Sequence, residues 1–222
     1  MEYNGKGKGG GFTEVVSMLK RMVSIESERL LLRRIQKRDA AHMYDYAKRG
    51  DVTRYLLWSP HPSPEYTASY ISSIQRFYRS GQYFDYAVIL KSENRMIGTC
   101  GFSRLDVPNG CAEAGYVINP DYQGRGYATE ALNALLHFGF RELGLNRIEA
   151  RFMTENKASL RVMEKCGMSF EGVQRELMLV RGEFRDVGVC SLLAGEFHLK
   201  RLCENGASPV ICYREGFFGE LF

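Results

Sequence analysis

The chain has 222 residues, with 30 Lys and Arg against 26 Asp and Glu and a formal net charge of +4. Its 45% hydrophobic and 25% charged residues describe a globular protein and exclude a disordered or fibrous one. No run approaches the roughly eighteen apolar residues of a membrane span, and the glycine-rich stretch after the first lysines is not the apolar core of a signal peptide. The length suits one large domain or two small ones. Six cysteines (Cys100, Cys111, Cys166, Cys190, Cys203 and Cys212) form no CxxC pair, which fits reduced thiols in a cytoplasmic protein and argues against structural zinc. Residues 1–21 hold four basic and two acidic side chains, so half of the net charge sits there. The rest lacks the basic stripe of a nucleic-acid binder.

Five glycines in the first eleven residues give residues 1–21 the composition of a flexible tail. Folding signals begin at Glu28. Residues 29–35 (Arg-Leu-Leu-Leu-Arg-Arg-Ile) read as a strand, and Asp39 opens a helix that ends near Gly50. An aromatic and proline-rich loop, residues 55–62, follows. Ser63-Pro64-Glu65 then supplies an N-cap, a proline at N1 and an acid in the first turn. Tyr70, Ile71, Ile74, Phe77 and Tyr78 continue at helical spacing until Gly81. The period then changes. Residues 84–90 and 96–102 are expected strands around the turn Ser92-Glu93-Asn94, and Asn109-Gly110 makes residues 111–119 the next antiparallel strand. After a glycine-containing loop, Ala128, Ala131, Leu132, Leu135, Leu136 and Gly139 mark one face of a helix. Residues 147–152 are a strand and 156–166 a helix stopped by Gly167. Two final strands, 173–180 and 184–193, flank Arg181-Gly182-Glu183. The order β-α-α-β-β-β-α-β-α-β-β predicts an α/β (α+β) mixed sheet with helices on its faces.

The chemistry concentrates where the strand 112–119 runs into Gln123-Gly124-Arg125-Gly126-Tyr127-Ala128 and then directly into a helix. Such a loop aims successive backbone N–H groups and a helix dipole at one point, a fit for a pyrophosphate. Small residues packing a strand-to-helix turn would leave the same trace. No Gly-Lys-Ser/Thr follows, so this is not a Walker loop, and a third glycine is missing for a dinucleotide fingerprint. The loop resembles the Gln/Arg-x-x-Gly-x-Gly/Ala signature of the GNAT superfamily of acetyl-coenzyme A-dependent N-acetyltransferases, with Gln123, Gly126 and Ala128 in the signature positions. Residues 156–168 (Asn-Lys-Ala-Ser-Leu-Arg-Val-Met-Glu-Lys-Cys-Gly-Met) resemble the family's Asn-x-x-Ser/Ala…Glu-Lys-x-Gly-Phe helix, with Met168 for Phe. The opening Ser27-Glu-Arg-Leu-Leu-Leu-Arg33 is similar to the branch containing the ribosomal-protein alanine N-acetyltransferases. The similarity covers about residues 27–196.

The resemblance implies a GNAT-like fold: a central, mostly antiparallel sheet splayed between two neighbouring parallel strands, with helices on both faces. It divides the chain into a tail (1–21), an N-acetyltransferase domain (22–196) and a C-terminal extension (197–222) with no assigned role, which docks on the body or on a second subunit. It implies acetyl-coenzyme A as co-substrate, with its pyrophosphate on the N–H groups of Gly124, Arg125, Gly126, Tyr127 and Ala128. Its pantetheine arm would lie along Val117 and Ile118, where a backbone N–H polarises the thioester carbonyl, and against Asn156. Lys157, Arg161 or Lys165 would meet the 3′-phosphate. Ser159 would assist the departing thiolate, because the family's tyrosine four residues later is Met163 here. Asn156 and Ser159 also suit plain capping roles. Glu113 is either the base that deprotonates the attacking amine or a carboxylate paired with a neighbouring strand. Trp58 lines the acceptor pocket or anchors its loop, and the pocket itself is expected from residues 50–66 and 173–186. His42, His61, His137 and His198 show no metal-ligand spacing, so no metal is expected. The implied partners are acetyl-coenzyme A and an amine, either a peptide N-terminus or a small amine such as a polyamine, amino acid or aminoglycoside. Homodimerisation is the assembly considered, with neither nucleic acid nor membrane. The rival from another class is a non-catalytic coenzyme A-binding module.

Overall fold

The computed structural model describes residues 22–81, 84–197 and the backbone of 212–214. The expected tail and most of the C-terminal extension, including residues 217–222, lie outside the described residues. The chain starts with β1 (Ser24–Glu26) and β2 (Leu30–Arg33), followed by a 3₁₀ turn at Lys37–Asp39 and three helices, α1 (Ala40–Ala47), α2 (Gly50–Thr53) and α3 (Pro64–Ser80). Three strands come next, β3 (Phe84–Leu90), β4 (Arg95–Asp106) and β5 (Cys111–Ile118), then α4 (Tyr127–Arg141), β6 (Arg147–Met153) and α5 (Lys157–Lys165). A hairpin of β7 (Ser169–Val180) and β8 (Glu183–Leu193) follows, and β9 (Cys212–Arg214) closes the set.

The sheet order is β7-β8-β6-β5-β4-β3-β2-β1-β9. Every described pairing is antiparallel except β5 with β6. That pair holds register only from Cys111↔Arg147 to Ala114↔Ala150. Beyond it β5 stays on β4, with Val117 opposite Thr99, while β6 stays on β8, with Phe152 opposite Gly188. The sheet therefore opens between residues 115–118 and 151–153. This is the mostly antiparallel sheet splayed between two parallel strands that the resemblance implies. In β3, Tyr86 to Leu90 are buried without alternation, so both faces at the centre are covered. Helices α1 and α3 pair and α1 packs on β4, while α4 lies against β5, β4, β2 and β1 with α5 beside it.

Local signals place most elements. Ser63 Oγ accepts the Tyr66 N–H at 3.2 Å, Pro64 takes the first helical position, and Gly81 ends α3 in the left-handed region. Ile71, Ile74 and Tyr78 on its inner face are fully buried, each aliphatic contributing about 1.5–3 kcal/mol. Helix α4 is buried beyond the predicted stripe, since His137 and Phe140 pack against the ring of Phe197 at 4.8 and 4.9 Å.

Three expectations are corrected. The strand expected at 29–35 is β2, but it is preceded by a short β1 with which it forms a hairpin, and folding starts at Met22, which is 2% exposed, ahead of Glu28. Ser27 makes the turn, its N–H bonding the Leu30 carbonyl at 2.9 Å. The helix opened at Asp39 stops at Ala47, and a separate helical turn, α2, begins at Gly50. Asp39 sits in the 3₁₀ turn, where Arg33 donates to both its carboxylate oxygens at 2.7 and 2.8 Å. Strands β4 and β7 are longer than expected, each running 12 residues through a bulge. The C-terminal extension returns to the body of its own chain: Cys212 to Arg214 pair with Glu26 to Ser24. Among the described residues no helix is long and apolar enough to cross a membrane.

Candidate active site

The loop after β5 is built by its own side chains. Gln123 Nε2 donates to the Ile118 carbonyl at 2.9 Å, folding the loop back onto the strand end. Gly124 and Gly126 have φ of 76° and 82°, a region where a side chain costs strain, and Gly126 is the N-cap of α4 with no side chain capping the first turn. A Cβ on Gly124 would meet nothing within 4 Å, and Gly124 borders a cavity. Backbone N–H groups facing an open concavity at a helix N-terminus fit an anion. Arg125 turns away from it, donating to the Asp121 carbonyl at 3.2 Å and lying over the Tyr122 ring.

Sequence reasoning missed what holds this loop. Glu130, in the first turn of α4, receives Ser27 Oγ and the Arg29 N–H on one oxygen, both at 2.8 Å, and Arg29 Nε on the other at 2.7 Å. The Arg29 guanidinium also donates to the Arg125 carbonyl at 3.0 Å and lies 4.5 Å over the Tyr127 ring. The start of β2 is thereby tied to the loop. In the sequence Ser27 and Arg29 carry only the family resemblance and the start of the strand, with nothing to show that they reach Glu130.

Two cavities flank the opening in the sheet. One, of about 440 Å³, is lined by the loop residues Gln123, Gly124, Gly126, Tyr127 and Ala128, by Ile118, and by Arg161 and Lys165 of α5. Lys157 does not line it. The other, of about 430 Å³, is walled by Tyr46, Trp58, His61, Tyr70 and Phe84, with Asp85 on β3. Tyr55, Leu56, Tyr116, Val117, Asn156 and Ser159 line both, so the two cavities meet where β5 and β6 part.

At that junction the Tyr116 hydroxyl donates to the Ser159 carbonyl at 3.0 Å and lies 2.9 Å from Ser159 Oγ. Burial pushes the Tyr116 phenol above its ordinary value near 10, with the Ser159 hydrogen bond opposing the rise. The pair joins β5 to α5 across the splay. Asn156 Oδ1 accepts the Ser159 N–H at 3.1 Å and caps α5. Met163, four residues after Ser159, is buried and lines the second cavity.

Glu113 is held elsewhere. Arg151 Nε lies 3.3 Å from Glu113 Oε2, and Ser103 Oγ donates to Oε1 at 3.0 Å. Arg151 also contacts Glu149 at 3.0 Å, and Arg147 bridges Glu149 to Glu171. Glu113 thus begins a charge ladder across β5, β6 and β7. Trp58 both lines the cavity and packs against the core. Residues 55, 56, 58 and 61 contribute to the aromatic wall, whereas no described residue of 173–186 does. That hairpin acts indirectly: Arg181, in its turn, donates to the Thr53 carbonyl at 2.7 Å and the Arg54 carbonyl at 3.2 Å.

The sheet thus opens between two parallel strands, with a glycine-containing loop at a helix N-terminus on one side and an aromatic cavity on the other. The chain belongs to the GNAT acetyltransferase family: the family model of the acetyltransferase (GNAT) domain matches residues 29–169. It is 34% identical over 176 residues to the uncharacterized N-acetyltransferase p20 of Bacillus licheniformis, covering 79% of this chain and 99% of that one. It is 30% identical over 174 residues to the [ribosomal protein uS5]-alanine N-acetyltransferase of Escherichia coli, covering 74% and 87%. Among solved structures, an acetyltransferase (GNAT family) from Bacillus anthracis superposes with a TM-score of 0.70 at 32% identity, covering 78% of this chain and 99% of that one. The protein is an acyltransferase.

Proposed function

We propose that the protein transfers the acetyl group of acetyl-coenzyme A to a primary amine by direct attack in a ternary complex. The observation that carries this is the pair of cavities meeting at Tyr116, Val117, Asn156 and Ser159. A donor and an acceptor entering from opposite sides would reach each other only there. Acetyl-coenzyme A supplies the activated acyl group as a thioester. The N–H groups of residues 124–128 take its pyrophosphate, Arg161 and Lys165 stand where a further phosphate would lie, and Val117 and Ile118 border the pantetheine arm. Asn156 spends Oδ1 on the helix cap, leaving Nδ2 to donate to an amide carbonyl of that arm. The Tyr116 and Ser159 hydroxyls face the leaving sulfur together.

For the acceptor, the favoured reading is a peptide N-terminal amine, as the name of the E. coli relative suggests. Among the described residues the second cavity has one acidic lining residue, Asp85, which suits one ammonium better than a polyamine with several. The test has two parts. Acetyl-coenzyme A should raise the melting temperature, because a ligand bound only by the folded state stabilises it by RT ln(1 + [L]/Kd). A thiol-release assay over a peptide with N-terminal alanine, benzylamine and spermidine should then rank the acceptors. No shift with acetyl-coenzyme A would refute the site, and a preference for spermidine would refute the acceptor.

A further inference from the structure

An alkylammonium cannot attack a thioester until it loses a proton, and Glu113, the carboxylate best placed by sequence, is already engaged by Arg151 and Ser103. The acceptor cavity holds another group able to take that proton. His61 lies between α2 and α3, its backbone N–H bonded to the Ala47 carbonyl at 2.9 Å, and the residue is 7% exposed. Trp58, Tyr66 and Tyr70 surround the ring at centroid distances of 5.4, 5.0 and 5.3 Å. His61 Nδ1 is 2.8 Å from Thr67 Oγ1. Because that hydroxyl donates to the Ser63 carbonyl one helical turn back, its lone pair faces the ring. With the Thr67 hydroxyl donating to the Ser63 carbonyl at 3.4 Å, the imidazole carries its proton on Nδ1 and its lone pair on Nε2. Nε2 has no hydrogen-bond partner among the described residues and is not sealed from solvent, while the ring lines the cavity that also holds Tyr116 and Ser159.

Resting on the acetyltransferase reading, we propose that His61 is the proton acceptor for the attacking amine, directly or through one water. An N–H bond of the ammonium breaks and its proton goes to Nε2. The freed lone pair forms the C–N bond as the C–S bond breaks. As the tetrahedral adduct collapses, the sulfur departs with the electron pair beside the Tyr116 hydroxyl and takes up the second N–H proton of the attacking nitrogen, so a neutral amide and a thiol are released, and His61 returns the first proton to solvent. The environment suits the task. Burial lowers the imidazole below its ordinary 6.5, so it is neutral and ready to accept at neutral pH. Among the described residues the charged side chains lining the cavity are Asp85 on β3 and Arg151 on β6, the latter already paired with Glu113 and Glu149. The titratable groups of α1, α3 and the 54–62 loop that face the cavity are the phenols Tyr46, Tyr70 and Tyr55.

The test compares two acceptors on the full-length protein: benzylamine, which is an ammonium at neutral pH, and 2,2,2-trifluoroethylamine, which is already largely neutral. His61→Gln should lower kcat/KM for benzylamine about a hundredfold, the scale of general-base help, and for trifluoroethylamine by less than about threefold. The acetyl-coenzyme A thermal shift should persist, and imidazole should partly restore His61→Ala. Thr67→Val keeps the imidazole but removes its anchor and should move the acid limb of the kcat/KM profile. Equal losses on both amines would reduce His61 to a wall of the pocket and overturn the proposal. So would an unchanged rate and acid limb in His61→Gln, or an acid limb that vanishes only in Glu113→Gln. A wild-type protein that binds acetyl-coenzyme A but acetylates no amine would overturn the acetyltransferase reading and this inference with it.

Discussion

Replacing Tyr116 by Phe keeps the ring in place and removes only the hydroxyl, so structure and chemistry can be read from one variant. In the folded state that hydroxyl bonds the Ser159 carbonyl at 3.0 Å and Oγ at 2.9 Å. A net hydrogen bond contributes about 0.5–1.5 kcal/mol. Losing one or two of them should cost roughly 1–2 kcal/mol, or roughly 2–8 °C in Tm for a domain of this size. The effect on rate should be larger. Sulfur leaves with a growing negative charge in a site shielded from water, where one aimed donor is worth about a hundred- to a thousandfold in kcat when the charge sits on oxygen. A thiolate carries its charge more diffusely, so about ten- to a hundredfold is expected here. Because burial raises the Tyr116 phenol above 10, it stays protonated through the working range, and Tyr116→Phe should lower kcat without moving the pH profile. Ser159→Ala should cause a smaller loss and add little in the double variant, since the two hydroxyls act as one unit. The assay is thiol release under saturating acetyl-coenzyme A with a pre-steady-state check that chemistry limits turnover. Full kcat in Tyr116→Phe under that condition would refute a role for this hydroxyl at the sulfur.

Gly124→Val should fold, because its Cβ meets nothing within 4 Å, at a strain cost of about 1–2 kcal/mol for the left-handed backbone. It should abolish most of the acetyl-coenzyme A shift in Tm, which for wild type at a hundredfold excess over Kd is roughly 5–10 °C; an unchanged shift would move the pyrophosphate elsewhere. Glu130→Gln should weaken acetyl-coenzyme A binding severalfold through its grip on Arg29 and Ser27, read by titration calorimetry, and equal affinity would show the clamp to be ornamental to the loop. Glu171 is lowered from 4.5 to about 2, first by Arg147 and then by the Ser191 hydroxyl. A lowered folded pKa gives stability that is complete above about 4.5 and lost as pH falls through about 2. Since the side chain is 42% exposed, that stability should stay below about 1 kcal/mol. Urea midpoints of wild type and Glu171→Gln measured from pH 2 to 5 should converge at the acid end, and parallel curves would contradict the assignment.

The elements legible in the sequence are those whose signals are local. Helix α3 carried its cap, its proline and its stop in the chain itself, and the structure returns Ser63, Pro64 and Gly81 in those roles. The hairpins around Asn94 and Gly110 were legible for the same reason, both residues taking positive φ. The start of the fold was not. Strand β1 is three residues long, too short for alternation to register, and it exists because β2 on one side and β9 on the other hold it. The stop near Gly50 is legible in the sequence, whereas the short helical turn Gly50–Thr53 that follows it is not, since four residues are too few for a helical period to show.

The same distinction runs through the site and explains why its two halves were unequally readable. The proposed donor half draws its loop from one contiguous stretch, 117–128, whose strand end, glycines and helix start follow in that order, though α5 also lines its cavity. Any chain that builds it shows it. The acceptor half is made by His61, Tyr70, Asp85 and Arg151 from four separate elements, and nothing in the spacing of those residues says that they share a cavity. Glu113 illustrates the hazard. Its strand position was read correctly, but whether a carboxylate there is available depends on Arg151 and Ser103, which reach it from neighbouring strands. Availability is a property of what surrounds a residue. His61 is equally plain in the sequence, because its contact with Thr67 at Nδ1 and its place in the cavity wall exist only in the fold.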